Sequence, residues 1–249
     1  MDDTILFDNA ITYKSLLESM YKCKRGVIWK DSVARFIQNS PIEITKLHDE
    51  LINMTYRMGN PVIFKVYEPK ERIIQSLKFR DKVFQKSLCD NVLIPILKNK
   101  FIYDNGASLK GKGYSFSLDR LRVHLQKYYN DTKTNKGWVL KCDIHHYFDS
   151  MVHEIILNKL SKYFFDERFL FYIEDSLNIY GENGVGIGLG SQINQTIALL
   201  YLNDLDHFIK EQLYIKYYGR YMDDFYLIHE DKEYLKYCKN EIKDFIKKR

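Results

Sequence analysis

Three aspartates stand where carboxylates could carry chemistry. Asp143 follows the apolar run Trp138–Cys142, which has the length of a strand, and Asp223 and Asp224 lie between two further strand-like segments, residues 215–221 and 225–229. If these strands pair, the three carboxylates converge. Clustered carboxylates repel each other unless a cation neutralises them, so the arrangement predicts a divalent-metal site. Their hard oxygen ligands select Mg²⁺ or Mn²⁺.

A site of this kind predicts phosphoryl or nucleotidyl transfer. Two metal ions about 4 Å apart can activate an attacking hydroxyl and stabilise a leaving oxygen. The alternative is an ordinary solvated turn, which is what an Asp-Asp pair alone usually marks. The full run Tyr-Met-Asp-Asp at residues 221–224 is a much rarer combination, and it falls between two predicted strands.

The hydrophobic pattern places these acids in an α+β protein. Residues 11–58 predict two or three amphipathic helices, and residues 62–67 and 72–77 predict a two-stranded ribbon. Asp81 is predicted to cap a helix that runs towards Leu97. Further helices are expected at residues 117–129, 151–163, 167–179, 191–213 and 231–248.

Two glycine-rich segments interrupt this pattern. Residues 105–113 form a basic loop with three glycines, and residues 184–190 have glycine at alternate positions directly before the longest predicted helix. Glycine permits a close approach of other groups to the backbone, as at a bound ligand. The sequence contains no internal repeat and no flexible interdomain linker.

Composition excludes several classes of protein. The chain has 249 residues, of which 45% are hydrophobic and 29% charged, so it is neither disordered nor of low complexity. It contains no apolar run of about 20 residues, and its N-terminus is acidic where a signal peptide would be basic. These features predict a cytoplasmic protein without a membrane span. The four scattered cysteines predict reduced thiols rather than disulfides or a zinc site.

Charge is concentrated in one region. The net charge is only +5, yet residues 65–112 contain eleven Lys and Arg against five Asp and Glu. A solvated helix face would explain such a run as well as a nucleic-acid surface would. The aromatic content of 15% slightly favours nucleic acid, because flat rings beside cations can stack on bases.

Several blocks, in order, resemble the reverse transcriptases, particularly the bacterial branch that includes group II intron and diversity-generating retroelement enzymes. Residues 141–150 (KCDIHHYFDS) resemble the first catalytic block, and residues 186–203 (GIGLGSQINQTIALLYLN) the block beneath the nucleotide. Residues 221–224 match the signature turn. Parts of residues 71–83 and 109–118 resemble the fingers blocks, so the resemblance covers roughly residues 61–230.

The resemblance implies the fingers and palm of a polymerase right hand. The expected organisation is a helical N-terminal part at residues 1–60, fingers at 61–136 and a palm at 137–249 with a ferredoxin-like (RRM-like) antiparallel sheet. Reverse transcriptases continue beyond the signature turn with a primer-gripping segment and a thumb, which this sequence lacks. We therefore expect a fragment of a longer protein; an accessory protein that grips the primer and template is the alternative.

The resemblance also implies roles for individual residues. Asp143, Asp223 and Asp224, with the Ile144 carbonyl, would hold two Mg²⁺ ions, or Mn²⁺. Phe148 stands at the steric-gate position, where a ring collides with a ribose 2′-OH and so favours dNTPs; an ordinary core ring is the alternative. Further nucleotide contacts are implied for Arg72, Lys110, Lys112, Tyr147, Leu189, Gly190, Gln195 and Met222.

The block beneath the nucleotide departs from the common pattern. Many relatives have proline-glutamine before the second glycine, where this chain has Gly188 and Leu189. A small apolar residue there, followed by a polar-Gln pair, resembles the diversity-generating branch, although Asn194 precedes Gln195 where serine is usual.

The prediction is an RNA-directed DNA polymerase that adds dNTPs to a primer 3′-OH on an RNA template in a bacterial retroelement. An RNA-dependent RNA polymerase shares the palm and the acids and is the enzymatic alternative, against which Phe148 argues. A non-catalytic nucleic-acid-binding scaffold in phage defence is the alternative from another class. The complete set of three acids argues against it, since carboxylates facing a polyanion weaken binding.

Overall fold

The structure, a computed structural model, describes residues 2–67 and 71–248 of the chain. The chain divides into two compact units. The first comprises residues 1–97 and 148–197, and the second comprises residues 98–147 and 198–249. Each unit is therefore assembled from two separate stretches of sequence.

The first unit opens with four helices. Side-chain caps begin the first two, because Asp2 accepts the Thr4 N–H and Thr12 accepts the Ser15 N–H. Each helix buries apolar residues three or four positions apart, such as Leu16 and Met20 of the second helix. The four helices are α1 Asp3–Ala10, α2 Tyr13–Cys23, α3 Asp31–Gln38 and α4 Ser40–Ile52.

An antiparallel ribbon and a long helical segment follow. Strand β1, Val62–Tyr67, pairs with β2, Glu71–Ser76. Helix α5, Phe79–Leu88, passes through a π-helical turn, Cys89–Leu93, into α6, Ile94–Leu97. The ribbon and the helix therefore form at the predicted places.

The prediction that Asp81 caps this helix is wrong. The N-cap is Lys78, and Asp81 lies buried inside the first turn. Its carboxylate accepts a hydrogen bond from the hydroxyl of Tyr56, which is also buried. A buried phenol needs an acceptor, and here the aspartate serves that tertiary partner instead of the backbone amides. Burial raises the pKa of Asp81.

Three further helices belong wholly or partly to the first unit. They are α8 His153–Leu160, α9 Glu167–Asn178 and α10 Gln192–Tyr201, the last of which extends into the second unit. Asp166 caps α9, accepting the Arg168 and Phe169 N–H groups. The buried carboxylate of Asp3 accepts the Phe165 and Asp166 N–H groups at 2.5 and 2.8 Å, which fastens α1 to the start of α9.

The second unit contains a three-stranded antiparallel sheet. Its strands are β3 Trp138–Cys142, β4 Tyr217–Tyr221 and β5 Asp224–His229, in the order β3-β5-β4. Helix α7, Tyr114–Thr132, packs against β4, and helix α12, Lys232–Lys247, packs against β3 and β5. Tyr128, Tyr217 and Ile228 form the small buried cluster between α7 and the sheet. The fold is thus a mixed α/β arrangement with antiparallel sheets, as predicted at the level of fold class.

The single helix predicted over residues 191–213 is broken. Helix α10 ends at Tyr201, α11 covers Asn203–His207, and a π-helical turn covers Phe208–Gln212. Leu202 interrupts the helix with φ −96° and ψ 3°. Buried Asp206 follows this break and accepts hydrogen bonds from Tyr218 and Arg220, so tertiary contacts of a polar side chain accompany the break in a segment whose apolar spacing alone favours one helix.

Among the described residues, no helix has the length and apolar character needed to cross a membrane.

Candidate active site

A two-residue turn joins β4 to β5. Tyr221 pairs directly with Asp224, which leaves Met222 and Asp223 as the turn. Met222 has a φ of 56°, in the left-handed region that non-glycine residues rarely adopt. Backbone in that region costs about 1 kcal/mol or more and collects at functional sites. The turn therefore presents Asp223 at its tip at the expense of local strain.

Strand pairing carries Asp143 to the same end of the sheet. Cys142 pairs with Phe225 in antiparallel register, so Asp143, the next residue, lies opposite the start of β5. The Asp143 carboxyl lies close enough to the Asp223 carboxyl to affect its pKa. Burial raises the pKa of Asp223, and the negative charges of Asp143 and Asp224 raise it further. These carboxyl groups thus lie close enough for their charges to repel.

Asp224 has a partner of its own. Its Oδ1 lies 3.2 Å from the Nζ of Lys141, and both side chains are largely exposed. Lys141 pairs with Tyr226, two residues beyond Asp224 on β5, so the alternation of a strand places Lys141 and Asp224 on the same face. Lys141 was not among the predicted site residues, although it stands two residues before Asp143.

The donor set suits a hard divalent cation only in part. Within residues 2–67 and 71–248, no group of three or more His, Cys, Asp or Glu side chains is arranged to hold a metal ion. Asp143 and Asp223 offer adjacent carboxylate oxygens whose repulsion a cation would relieve, which fits Mg²⁺. The Asp224 charge is instead offset by Lys141.

The predicted nucleotide contacts of the second unit differ in their surroundings. Tyr147 is buried, its hydroxyl donates to the Ala198 carbonyl at 2.5 Å, and burial raises its pKa. Lys110 is exposed. Met222 lies in the turn. Ile144, whose carbonyl is a predicted metal ligand, directly follows Asp143.

Lys112 is engaged inside its own loop. Its Nζ donates to the Tyr103 carbonyl at 2.5 Å and lies 4.3 and 3.7 Å from the ring centroids of Tyr103 and Phe116. Burial lowers the pKa of Lys112. Binding of a phosphate by this ammonium group would therefore compete with contacts it already makes.

The remaining predicted contacts lie in the first unit. The Phe148 carbonyl accepts the Ile187 N–H at 2.9 Å, which joins the proposed gate to the glycine-rich segment that carries Leu189 and Gly190. Gln195 is half-buried in α10. Arg72 pairs with Val66 in the ribbon, and its side chain lies outside the described part of the chain.

Two glycines of residues 184–190 are required by geometry. A Cβ on Gly188 would lie 2.1 Å from the ring of Tyr180 and 2.5 Å from Oε1 of Gln75. Gly190 has a φ of 108°, which strains any other residue. The buried side chain of Asn194 donates to the Gly188 carbonyl at 2.9 Å. Close packing and hydrogen bonding thus fix the loop that holds Leu189.

Comparison with protein families assigns the chain. The model of the family described as "Reverse transcriptase (RNA-dependent DNA polymerase)" matches residues 65–249. The chain belongs to the reverse transcriptase family. This confirms the resemblance found in the sequence blocks, and the reaction named for the family is a nucleotidyl transfer. Reverse transcriptase domains generally use divalent metal ions, in keeping with the carboxylate pair.

Solved structures share the reverse transcriptase fold at low identity. A chain of a "Partial Cas6-RT-Cas1--Cas2 complex" and one of a "Cas6-RT-Cas1--Cas2 complex" each match with a TM-score of 0.55 and 17% identity over 91% of this chain. Apo telomerase from Candida tropicalis, truncated from its C-terminal domain, matches with a TM-score of 0.52 and 13% identity over 84% of this chain.

This chain spans only part of the proteins it resembles. It covers 38% and 24% of the two Cas6-RT-Cas1 chains and 51% of the telomerase chain. At these identities the matches establish the fold alone. Among curated proteins, none matches the chain.

Proposed function

We propose that this chain is the catalytic core of an RNA-directed DNA polymerase. The observation that carries the proposal is the pair of neighbouring carboxyl groups, Asp143 and Asp223, at one end of the sheet in a chain of the reverse transcriptase family. Its substrates are dNTPs, and its partners are an RNA template and a primer of RNA or DNA. On this assignment residues 1–60 are the helical N-terminal part, residues 61–136 the fingers and residues 137–249 the palm.

The reaction joins a nucleotide to the primer. The primer 3′-oxygen attacks the α-phosphorus of a dNTP, a phosphodiester bond forms, and the bond from the α-phosphorus to the bridging oxygen breaks. Pyrophosphate leaves, and the proton of the 3′-hydroxyl passes to solvent. The residues of the chain serve mainly to position these groups and to balance their charge, because phosphoryl transfer depends largely on those two effects.

Asp143 and Asp223 would hold the divalent metal, with Asp224 and the Ile144 carbonyl as further ligands. These residues would hold Mg²⁺ where it could lower the pKa of the attacking hydroxyl and offset the charge of the phosphate oxygens. Asp224 would serve as a ligand through its second oxygen, because its ion pair with Lys141, at 3.2 Å, uses Oδ1. Mn²⁺ has the same preference for oxygen and would serve in its place.

Selection of dNTPs is proposed to rest on Phe148 and the glycine-rich loop. The Phe148 carbonyl accepts a hydrogen bond from Ile187 of that loop, so the backbone of Phe148 is linked to the loop. Arg72, Lys110, Tyr147, Gln195 and Met222 remain proposed contacts of the nucleotide or template. A bacterial retroelement, with relaxed fidelity as in the diversity-generating branch, is the proposed setting.

The decisive experiment is primer extension on an RNA template with Mg²⁺ and dNTPs. Asp223→Asn keeps the shape of the side chain and removes its charge, and we expect extension to fall at least about 1000-fold. Asp244→Asn makes the same change at an exposed position of α12. It is the matched control and should retain full activity. Normal extension by Asp223→Asn would refute the proposal.

Competing NTPs and dNTPs in the same assay separates the alternatives. Preferential incorporation of NTPs by the unaltered protein would indicate an RNA-dependent RNA polymerase. Tight RNA binding without Mg²⁺ and without incorporation of either nucleotide would indicate a non-catalytic scaffold.

A further inference from the structure

A buried arginine lies two residues before the turn formed by Met222 and Asp223. Arg220 of β4 is 2% exposed, and its side chain and that of Asp206 in α11 are both fully buried. The guanidinium donates to both oxygens of Asp206, from Nε at 2.7 Å and from Nη2 at 2.6 Å. This fork fixes the plane of the guanidinium group.

The rest of the guanidinium is directed at backbone carbonyls. Nη1 donates to the Met222 carbonyl at 2.8 Å, and Nη2 donates to the Leu199 carbonyl at 3.1 Å. The Met222 carbonyl belongs to the peptide that links Met222 to Asp223. Arg220 therefore holds the peptide that carries Asp223, while the fork with Asp206 holds Arg220.

Stability alone is a weak reason for such a pair. Removing two charges from water is costly, and apolar residues of similar volume are often as stable or more so. A feature that an apolar pair could not reproduce is the hydrogen bond to a turn whose Met222 has a left-handed φ of 56°. The turn needs an external constraint because an ordinary side chain disfavours that conformation.

We propose that Arg220 is a positioning residue for the nucleotidyl transfer. The fork of Arg220 and Asp206 fixes the Met222–Asp223 peptide, and through it the direction of the Asp223 carboxylate toward Asp143. This inference rests on the proposed polymerase function. Arg220 would contact neither the substrate nor the metal, and yet it would set the position of Asp223, a proposed metal ligand.

The test replaces the pair by apolar side chains of similar volume, Arg220→Met with Asp206→Leu. We expect a folded protein, because both charges are removed together, with a Tm lowered by the loss of the Tyr218 hydrogen bond to Asp206. Primer extension should fall about 100-fold in kcat, the cost of a misplaced reacting group, with little change in the KM for dNTP. Hydrogen exchange of the Asp223 amide should become faster in the metal-free protein.

Two single variants guard against misfolding of the double variant. Arg220→Lys keeps the charge but cannot donate to Asp206 and the Met222 carbonyl together, so kcat should fall and the Mg²⁺ concentration for half-maximal activity should rise. Tyr218→Phe is the matched control. It removes the 2.6 Å hydrogen bond to Asp206 without altering the turn, and should lower Tm with an unchanged Mg²⁺ requirement.

The outcomes distinguish the two proposals. If the unaltered protein does not extend primers, the polymerase function fails. If the unaltered protein extends primers and the folded double variant, or Arg220→Lys where the double variant does not fold, does so at the same rate and Mg²⁺ requirement, only the positioning role is overturned.

Discussion

The Asp223 carboxyl occupies surroundings that disfavour its negative charge. Burial raises its pKa, and repulsion from Asp143 and Asp224 adds to the effect. Asp224, by contrast, has the cation of Lys141 at 3.2 Å. Two neighbouring aspartates in the sequence therefore have different electrostatic roles. The pair Asp143 and Asp223 has a charge to be neutralised, whereas Asp224 is already partly neutralised.

The side chain at position 148 is predicted to set the choice of sugar. Phe148→Ala should raise the incorporation of NTPs relative to dNTPs by about 10- to 100-fold, because removal of the ring opens space for the 2′-OH. The measurement is single-nucleotide extension with each substrate, compared as kcat/KM. Phe171→Ala in α9, which also removes a half-buried ring of the first unit, is the control and should leave the ratio unchanged. The same sugar preference in Phe148→Ala as in the unaltered protein would contradict a gating role.

At the scale of elements, Asp104 ties three segments of the second unit together. Although burial alone raises its pKa, hydrogen bonds from His124, Lys210 and Arg120 hold the pKa of Asp104 well below its ordinary value. Arg120 and His124 come from α7, and Lys210 comes from the π-helical turn Phe208–Gln212. Next to Asp104, Gly106 donates to the carbonyl of Arg220 at 2.8 Å. The carboxylate thus joins its own loop to α7 and to the π-helical turn, and the neighbouring backbone joins the loop to β4.

This linkage predicts an acid-dependent loss of stability. The folded-state pKa of Asp104 lies below its unfolded value of about 3.9, so its stabilisation is complete above roughly pH 5 and is lost as pH falls through the folded-state pKa. Asp104→Asn should therefore destabilise the protein by about 3 kcal/mol at pH 7, with a smaller deficit at pH 3.5. Urea unfolding at both pH values measures the difference.

Asp119→Asn is the matched control on α7. Asp119 is exposed and pairs with Arg122 at 3.1 Å, so its replacement should cost no more than about 0.5 kcal/mol at either pH. An Asp104→Asn deficit that is the same at pH 7 and pH 3.5 would show that the ionised carboxylate is not the source of the stability.

Local patterns predicted the elements better than the contacts between them. The β4–β5 turn, β3 and α12 lie within two residues of the predicted positions, because alternation, turn residues and helical spacing are short-range signals. The burial of Asp81 against Tyr56 could not be predicted in this way, since the partner lies 25 residues away. The burial of Arg220 against Asp206 could not be predicted either, because the sequence favours an exposed arginine unless its acceptor is known.

At the scale of the whole molecule, the cations of residues 65–112 are not all available to a ligand. Several cations in this segment are paired with carboxylates. Lys65 contacts Glu71 at 2.6 Å, Lys86 contacts Asp90 at 2.8 Å, and Arg80 contacts Glu50 at 2.9 Å. These ion pairs leave the net charge of the segment unchanged, but they leave fewer of its cations available for direct contact with phosphate groups.

The salt dependence of RNA binding should reflect the small number of available cations. With about three phosphate contacts, the affinity for single-stranded RNA should fall about 20-fold between 50 and 200 mM salt, from a slope of about −0.7 per contact. Fluorescence anisotropy across that range gives the slope. Lys110→Gln should make the slope shallower by about 0.7, because Lys110 is an exposed cation of the basic loop. Lys46→Gln makes the same change at an exposed position of α4 and should leave the slope unchanged. Equal slopes for Lys110→Gln and the unaltered protein would show that this loop does not contact the RNA backbone, and would place the binding surface elsewhere on the chain.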